Sequence, residues 1–210
     1  MEFKKYSIEK FINELKADLP SPGGGSTAAL ISAFALSLNS MVYSFTIDKK
    51  TFEKLSEENK EKMREFKEES DMFIEESLSF MEDDRNAFIN LMKAFKLPKV
   101  TDEEKVYRSN IIEEKTVNAM EVPFKLAKKC FKLYDNIEFA IKYGNNNLTS
   151  DAVVAASILH SAIESSIINV YVNFNSLNNK DKYKSIKIEC SNIIDESIKR
   201  KNKIVDLFMI

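Results

Sequence analysis

Residues 20–45 read PSPGGGSTAALISAFALSLNSMVYSF, a helix-breaking start followed by a long run without a charged side chain. Pro and Gly cannot continue a preceding helix, and Ser26 or Thr27 can cap a new one. The new helix, over about residues 27–46, is rich in Ala and Ser, so another helix can approach it closely. It is long enough to cross a bilayer, but its serines and acidic flanks favour burial at the centre of a bundle. This segment therefore predicts the central helix of a helical protein.

The rest of the chain is almost free of helix breakers, with only 4 Gly and 4 Pro in 210 residues. Apolar spacing predicts further helices over 7–17, 51–80, 81–95, 101–142 with a kink at Pro123, 150–172 and 180–207. We expect Ser7, Thr101 and Ser150 to cap helices, and Gly144 to end one in a left-handed conformation. Because no repeat or long linker interrupts this pattern, residues 1–210 are predicted to form one all-α domain. That domain is a helical bundle with long amphipathic helices and a buried small-residue helix.

The composition excludes two classes of function. The 31 basic residues are balanced by 33 acidic ones, so a generally basic nucleic-acid binder is excluded. Cys130, Cys190 and the single His160 leave no zinc-ligand set, and we expect no metal site.

Charged residues alternate through 1–16, unlike a signal peptide, and free thiols suit a reducing compartment. We therefore expect a cytoplasmic protein.

One acid of the trio Glu82-Asp83-Asp84 is predicted to face the core. On a helix, Asp84 falls on the same stripe as the apolar side chains of Phe88 and Met92, whereas Glu82 and Asp83 turn towards solvent. A carboxylate on an apolar face is costly, and burial raises its pKa towards the range of a general acid or base. The alternative is a structural salt bridge with a Lys or Arg.

Two polar segments could bind a ligand. The backbone amides of Gly23, Gly24 and Gly25, followed by Ser26 and a helix N-terminus, suit an electron-rich ligand, although a plain connection is an equal alternative. No Lys follows the glycines, so the segment is not a phosphate-binding P-loop. The amides and hydroxyls of 144–151 offer donors and acceptors to a polar heterocycle, or form only a capped turn. For His160, a hydrogen-bonded or a surface histidine is favoured over a catalytic one.

The order of these segments resembles one known family. The matching blocks are 20–26 with Met41-Val42 and Thr46; Asp84-x-x-Ala87-Phe88 with 94–99; Arg108 with Ala119-x-x-Val122-Pro123; Gly144-Asn145-x-Asn147-x-x-Ser150-Asp151; and Asn169-Val170-x-Val172-Asn173. Together they resemble the formiminotetrahydrofolate cyclodeaminase / methenyltetrahydrofolate cyclohydrolase family over about residues 5–178. The last thirty residues match only as an amphipathic helix.

The resemblance implies an all-helical homodimer that binds a folate one-carbon adduct and uses no metal, nucleotide or other cofactor. Asp84 falls at the family's acidic position, which implies the catalytic role. The resemblance also implies that the folate site is shaped by Gly23, Gly24, Gly25, Ser26, Asn147, Ser150, Asp151 and Asn169. Arg108 and Lys99 are expected to face the anionic glutamate tail.

Three functions remain open at the level of sequence. The first is a cyclodeaminase that converts formiminotetrahydrofolate to methenyltetrahydrofolate and ammonia. The second is a cyclohydrolase that opens methenyltetrahydrofolate to formyltetrahydrofolate. The third is a helical folate-binding or scaffold protein without catalysis, which the presence of Asp84 disfavours. No nucleic acid and no membrane are expected as partners.

Overall fold

The computed structural model describes residues 1–209 and contains helices but no strand in that range. The eight α-helices are α1 (Ile8–Leu15), α2 (Gly24–Ser44), α3 (Lys50–Glu53), α4 (Glu57–Phe95), α5 (Asp102–Lys132), α6 (Tyr134–Tyr143), α7 (Thr149–Asn175) and α8 (Lys184–Met209). Short 3-10 turns precede α1, α7 and α8. The expected all-α fold is confirmed.

The longest helices differ from the expected boundaries. The stretches 51–80 and 81–95 are not two helices, because a break near Ser56 separates the short α3 from α4, which then runs unbroken for 39 residues. Neither Gly nor Pro occurs inside α4, so nothing in its sequence interrupts the backbone hydrogen bonds. The next helix continues through Pro123 but ends at Lys132, and α6 follows it directly.

The small-residue helix is buried between its neighbours, as expected. α2 packs against α4 on one side and α7 on the other, with Ala28, Ala35 and Leu36 fully buried. Small side chains allow this close packing, and the apolar area removed from water stabilises it. The segments 24–44 and 146–175 are each long and apolar enough to cross a membrane, yet more than half of each apolar window is buried inside the protein.

The helix ends confirm two of the predicted N-caps and correct the other two. Ser7 accepts a bond from the Lys10 amide, and Thr101 forms the predicted capping box with Glu104. The predicted cap at Ser26 or Thr27 is wrong, because α2 begins earlier, with Gly23 as its N-cap. Ser150 does not cap α7 either, since the helix starts at Thr149 and is preceded by Leu148.

Gly144 ends α6 without adopting the left-handed conformation that the sequence suggested; its φ is −77°. Its lack of a side chain serves a close approach instead. A Cβ at this position would lie 2.8 Å from Cγ1 of Val42 and would overlap the carbonyl oxygen of Ala140. Gly144 therefore allows the end of α6 to pack directly on the C-terminal part of α2.

Candidate active site

The carboxylate of Asp84 lies against the first turn of α2. The Ser26 hydroxyl donates to Asp84 Oδ2 over 2.9 Å and lies 3.2 Å from the carbonyl oxygen of Met81. Asp84 itself is half-buried on α4, on the face that the apolar spacing predicted. Because the first amides of a helix lack intrahelical partners and carry partial positive charge, this position suits a carboxylate.

Gly25 is the residue that allows this contact. A Cβ at Gly25 would lie 2.8 Å from Asp84 Oδ2 and would overlap Cγ and Oδ1 outright. At Gly24 a Cβ would meet Asn169 Nδ2 at 3.3 Å, whereas at Gly23 it would meet nothing within 4 Å. The three glycines are therefore not equivalent, since Gly25 and Gly24 face the side chains of α4 and α7 respectively.

Asn169 brings a third helix to the same place. Its side chain lies beside Gly24 and donates to the carbonyl oxygen of Ser165 over 2.8 Å. One turn later, Asn173 donates to the carbonyl oxygen of Ala119 and ties α7 to α5. The predicted residues Gly23–Ser26, Asp84 and Asn169 are thus brought together at one end of the bundle.

Burial raises the pKa of Asp84, and the hydroxyl and amide of Ser26 partly oppose this rise. Among residues 1–209, no Lys or Arg forms an ion pair with Asp84, so the alternative of a structural salt bridge is not supported. A half-buried carboxyl with a raised pKa and no cationic partner can hold a proton closer to neutral pH than a surface aspartate does. This arrangement is able to donate and accept a proton.

The two acids beside Asp84 behave differently. Asp83 is exposed, as expected. The prediction that Glu82 faces solvent is wrong, because its carboxylate accepts a hydrogen bond from the Phe3 amide and pairs with Arg85. Arg85 in turn donates to the carbonyl oxygen of Met1. The N-terminal segment is therefore fixed on α4 next to Asp84, a contact across 79 residues that no local sequence pattern could reveal.

A second group of predicted residues lies at the opposite end of α2. The Asn145 amide donates to Thr46 Oγ1, just beyond the C-terminus of α2, and this places Asn147, Ser150 and Asp151 at that end. Because α2 has 21 residues, the two ends are about 30 Å apart. Within one chain, this segment does not meet Asp84.

The two predicted tail-binding cations lie beyond Asp84 along α4. Arg108 donates to the carbonyl oxygen of Phe95 over 3.0 Å, while its Nε is buried without a partner. Phe95 is eleven residues after Asp84, so this position is about 16 Å farther along the helix. Lys99 is exposed in the loop that follows.

The remaining chemically active side chains lie elsewhere. His160 is buried and its Nδ1 lies 2.8 Å from Ser197 Oγ, in agreement with a structural role. Burial lowers the pKa of His160. Both cysteines are buried free thiols. Within the part of the chain that the structure describes, no group of three or more His, Cys, Asp or Glu could hold a metal ion.

Comparison with known proteins assigns the family. The family model described as "Formiminotransferase-cyclodeaminase" matches residues 7–192. A methenyltetrahydrofolate cyclohydrolase from Methylorubrum extorquens is 35% identical over 174 residues, which are 83% of this chain and 82% of that relative. A formimidoyltransferase-cyclodeaminase from Rattus norvegicus is 29% identical over 91% of this chain, which spans only 35% of that longer relative.

A solved structure shares the fold. The crystal structure of formiminotetrahydrofolate cyclodeaminase from Thermotoga maritima has a TM-score of 0.83 and covers 99% of both chains at 23% sequence identity. At that identity the likeness concerns the helical fold alone. The match to the family model and the relative with 35% identity over most of the chain are stronger evidence. They show that this chain belongs to the formiminotransferase-cyclodeaminase family.

Proposed function

We propose that this protein converts formiminotetrahydrofolate to methenyltetrahydrofolate and ammonia, with Asp84 as the catalytic acid and base. The observation that carries the proposal is the Asp84 carboxyl, held on the first turn of α2 with a raised pKa and no cationic partner among the described residues. Family membership supplies the substrate class, a folate that carries one carbon.

The reaction requires proton transfers that one carboxyl group can perform. One folate nitrogen attacks the carbon of the protonated formimino group and forms a tetrahedral carbon that carries an amino group between the two reactive folate nitrogens. The attacking nitrogen then loses a proton, and the amino group gains one before it leaves as ammonia. An ionised Asp84 can accept the first proton and return it to the leaving group, so the carboxyl ends each cycle as it began. No cofactor beyond the folate adduct is needed.

Hydrolysis of methenyltetrahydrofolate to formyltetrahydrofolate is the second candidate. In that reaction water attacks the methenyl bridge, and one carbon–nitrogen bond opens with proton transfer to nitrogen. The relative with 35% identity over 82% of its own length is named a methenyltetrahydrofolate cyclohydrolase, which specifically favours this alternative. The same acid serves both reactions.

An absorbance assay separates these functions. Methenyltetrahydrofolate has a near-ultraviolet chromophore that its hydrolysis product and the formimino adduct lack. Purified protein is incubated with each adduct separately, and Asp84→Asn is the matched control. Growth of absorbance from the formimino adduct, with release of ammonia, supports the cyclodeaminase. Decay from the methenyl adduct above the protein-free rate supports the cyclohydrolase, and no change with either adduct would leave only non-catalytic folate binding.

We further propose that the protein is a homodimer in which the outer faces of α2 and α7 meet. These faces expose Phe34, Ile168 and Val172, at 45%, 56% and 61% of their full areas. Ile168 and Val172 lie one turn apart on the same face of α7, and exposed apolar patches are typical of an interface. A second copy rather than a membrane is the proposed cover, and the buried free thiols support a cytoplasmic location.

An antiparallel arrangement of the two copies would also complete the site. A two-fold axis perpendicular to α2 would place the Asn147–Asp151 segment of one copy opposite Asp84 of its partner. This would join the two groups of predicted residues that lie about 30 Å apart within one chain. Light scattering tests the pairing, and a stable 24.1 kDa monomer at micromolar concentration would refute it.

A further inference from the structure

Ser26 has no side-chain atom available for a ligand. It is fully buried in the first turn of α2, and its hydroxyl has two acceptors within reach, Asp84 Oδ2 at 2.9 Å and the Met81 carbonyl oxygen at 3.2 Å. A hydroxyl has one proton to donate, and a charged acceptor forms the stronger bond. The hydroxyl therefore donates to Asp84 when that carboxyl is ionised.

The two oxygens of Asp84 are consequently not equivalent. Oδ2 accepts from the Ser26 hydroxyl, whereas no side-chain donor within residues 1–209 bonds to Oδ1. Asp84 as a whole is only half-buried, so its carboxyl group is still reached by solvent. Oδ1 also lies over the bare backbone of Gly25.

We propose that Ser26 is a positioning residue that holds Oδ2 of Asp84 and leaves Oδ1 as the oxygen that exchanges protons with the substrate. The inference rests on the proposed function of Asp84. During turnover, Oδ1 takes the proton from the attacking nitrogen and releases it to the departing amine, while Ser26 keeps its own proton. Once Asp84 is protonated, Oδ2 accepts more weakly, and the Met81 carbonyl oxygen gives the Ser26 hydroxyl a second acceptor.

This role predicts how Ser26 changes the acidity of Asp84. Burial raises the pKa of Asp84, and the hydrogen bonds from Ser26 lower it, since they favour the charged form. Removing the hydroxyl should therefore raise the pKa further. A hydrogen bond from Ser26 to the ionised carboxylate is roughly twice as strong as one to the neutral carboxyl group. Losing this preference for the ionised form should raise the pKa of Asp84 by about one pH unit.

The test is Ser26→Ala, compared with Ser32→Ala as a matched control. Ser32 is also fully buried on α2, and its hydroxyl lies 2.9 Å from Ser77 of α4, two turns away from Asp84. The titration of the Asp84 carboxyl is followed by NMR on substrate-free protein with carbon-13 in the aspartate carboxyls, and Asp84→Asn identifies the signal. We expect the midpoint to rise by about one pH unit in Ser26→Ala only.

Turnover against pH gives the second measurement. The limb of the profile that depends on ionised Asp84 should move upward by the same amount in Ser26→Ala and stay in place in Ser32→Ala. If Ser26→Ala does not fold, Ser26→Cys keeps the size of the side chain with a weaker donor and should show a smaller rise in the same direction.

An unchanged Asp84 titration in the folded Ser26 variants would overturn the inference. Because the NMR measurement needs no substrate, that failure is distinct from failure of the proposed function. The latter would appear as wild-type protein that leaves both folate adducts unchanged, or as Asp84→Asn with full turnover.

Discussion

Replacing Gly25 with Ala tests whether the contact between α2 and Asp84 is required for activity. The added Cβ would lie 2.8 Å from Asp84 Oδ2 and closer still to Cγ and Oδ1. Ordinary carbon contacts are about 3.5–4.0 Å, so the carboxylate must move away by roughly 1 Å or more. A displacement of that size at the reacting group can reduce turnover by about a hundredfold.

The same substitution, Gly25→Ala, is expected to lower the free energy of unfolding only modestly. Loss of the Ser26–Asp84 hydrogen bond costs about 1.5–3 kcal/mol, because one partner is charged. Ala in place of Gly in a helix offsets this by up to about 1 kcal/mol. The net loss of about 0.5–2 kcal/mol should lower the melting temperature of a chain of 210 residues by only several degrees.

The assay is turnover of the folate adduct, measured together with thermal melting on Gly25→Ala and Gly24→Ala. A Cβ at Gly24 meets only the Asn169 side chain, at 3.3 Å, and a small adjustment of that side chain suffices. We expect Gly24→Ala to retain more than about a tenth of the turnover, well above Gly25→Ala. Equal losses in the two variants, or near-normal turnover in Gly25→Ala, would refute the reasoning.

Three further predictions concern Asp84 and the subunit contact. Asp84→Asn should lose about a hundredfold or more in turnover while binding folate, and exposed Asp83→Asn should lose little; near-normal kinetics in a stable Asp84→Asn would disprove the catalytic role. Because burial raises the native pKa of Asp84 above its unfolded value, the stability of the wild type falls as pH rises through the native pKa. The melting temperature of Asp84→Asn should therefore be at least that of the wild type near neutral pH, and any difference in its favour should disappear in acid. A lower melting temperature than the wild type at neutral pH would contradict this. Coexpressed Asp84→Asn and Asn147→Ala chains should regain roughly a quarter of wild-type turnover, because half of the dimers are mixed and each mixed dimer has one intact site; activity no higher than that of the two variants alone would exclude a shared site.

Much of the local structure follows from sequence because it depends on nearby residues. The apolar stripe that includes Phe88 and Met92 placed Asp84 on the inner face of its helix, and the Thr101–Glu104 pair defined a helix start. The buried Ala-rich helix was also predictable, since its lack of charge and its small side chains leave few alternatives. The family blocks added the substrate class.

Other expectations were wrong because the environment of the side chain depends on residues that are distant in the sequence. Glu82 is on the outer side of the helical pattern, yet its carboxylate accepts a hydrogen bond from the amide of Phe3, 79 residues earlier in the sequence. Serine is a common helix cap, but the hydroxyl of Ser26 donates instead to a carboxylate 58 residues away in the sequence. Hydrogen bonds of this kind depend on which helices become neighbours, and helical periodicity carries no information about that.

The sequence by itself determined the helical class, the apolar faces of the main helices and the acid that faces inward, because each of these depends on residues a few positions apart. Only the tertiary structure decided that Gly25 and Asn169 converge near Asp84 while Asn147 and Asp151 lie about 30 Å away. The physical reason is that α2 and α7 pack side by side in opposite directions, which brings the start of one helix to the end of the other.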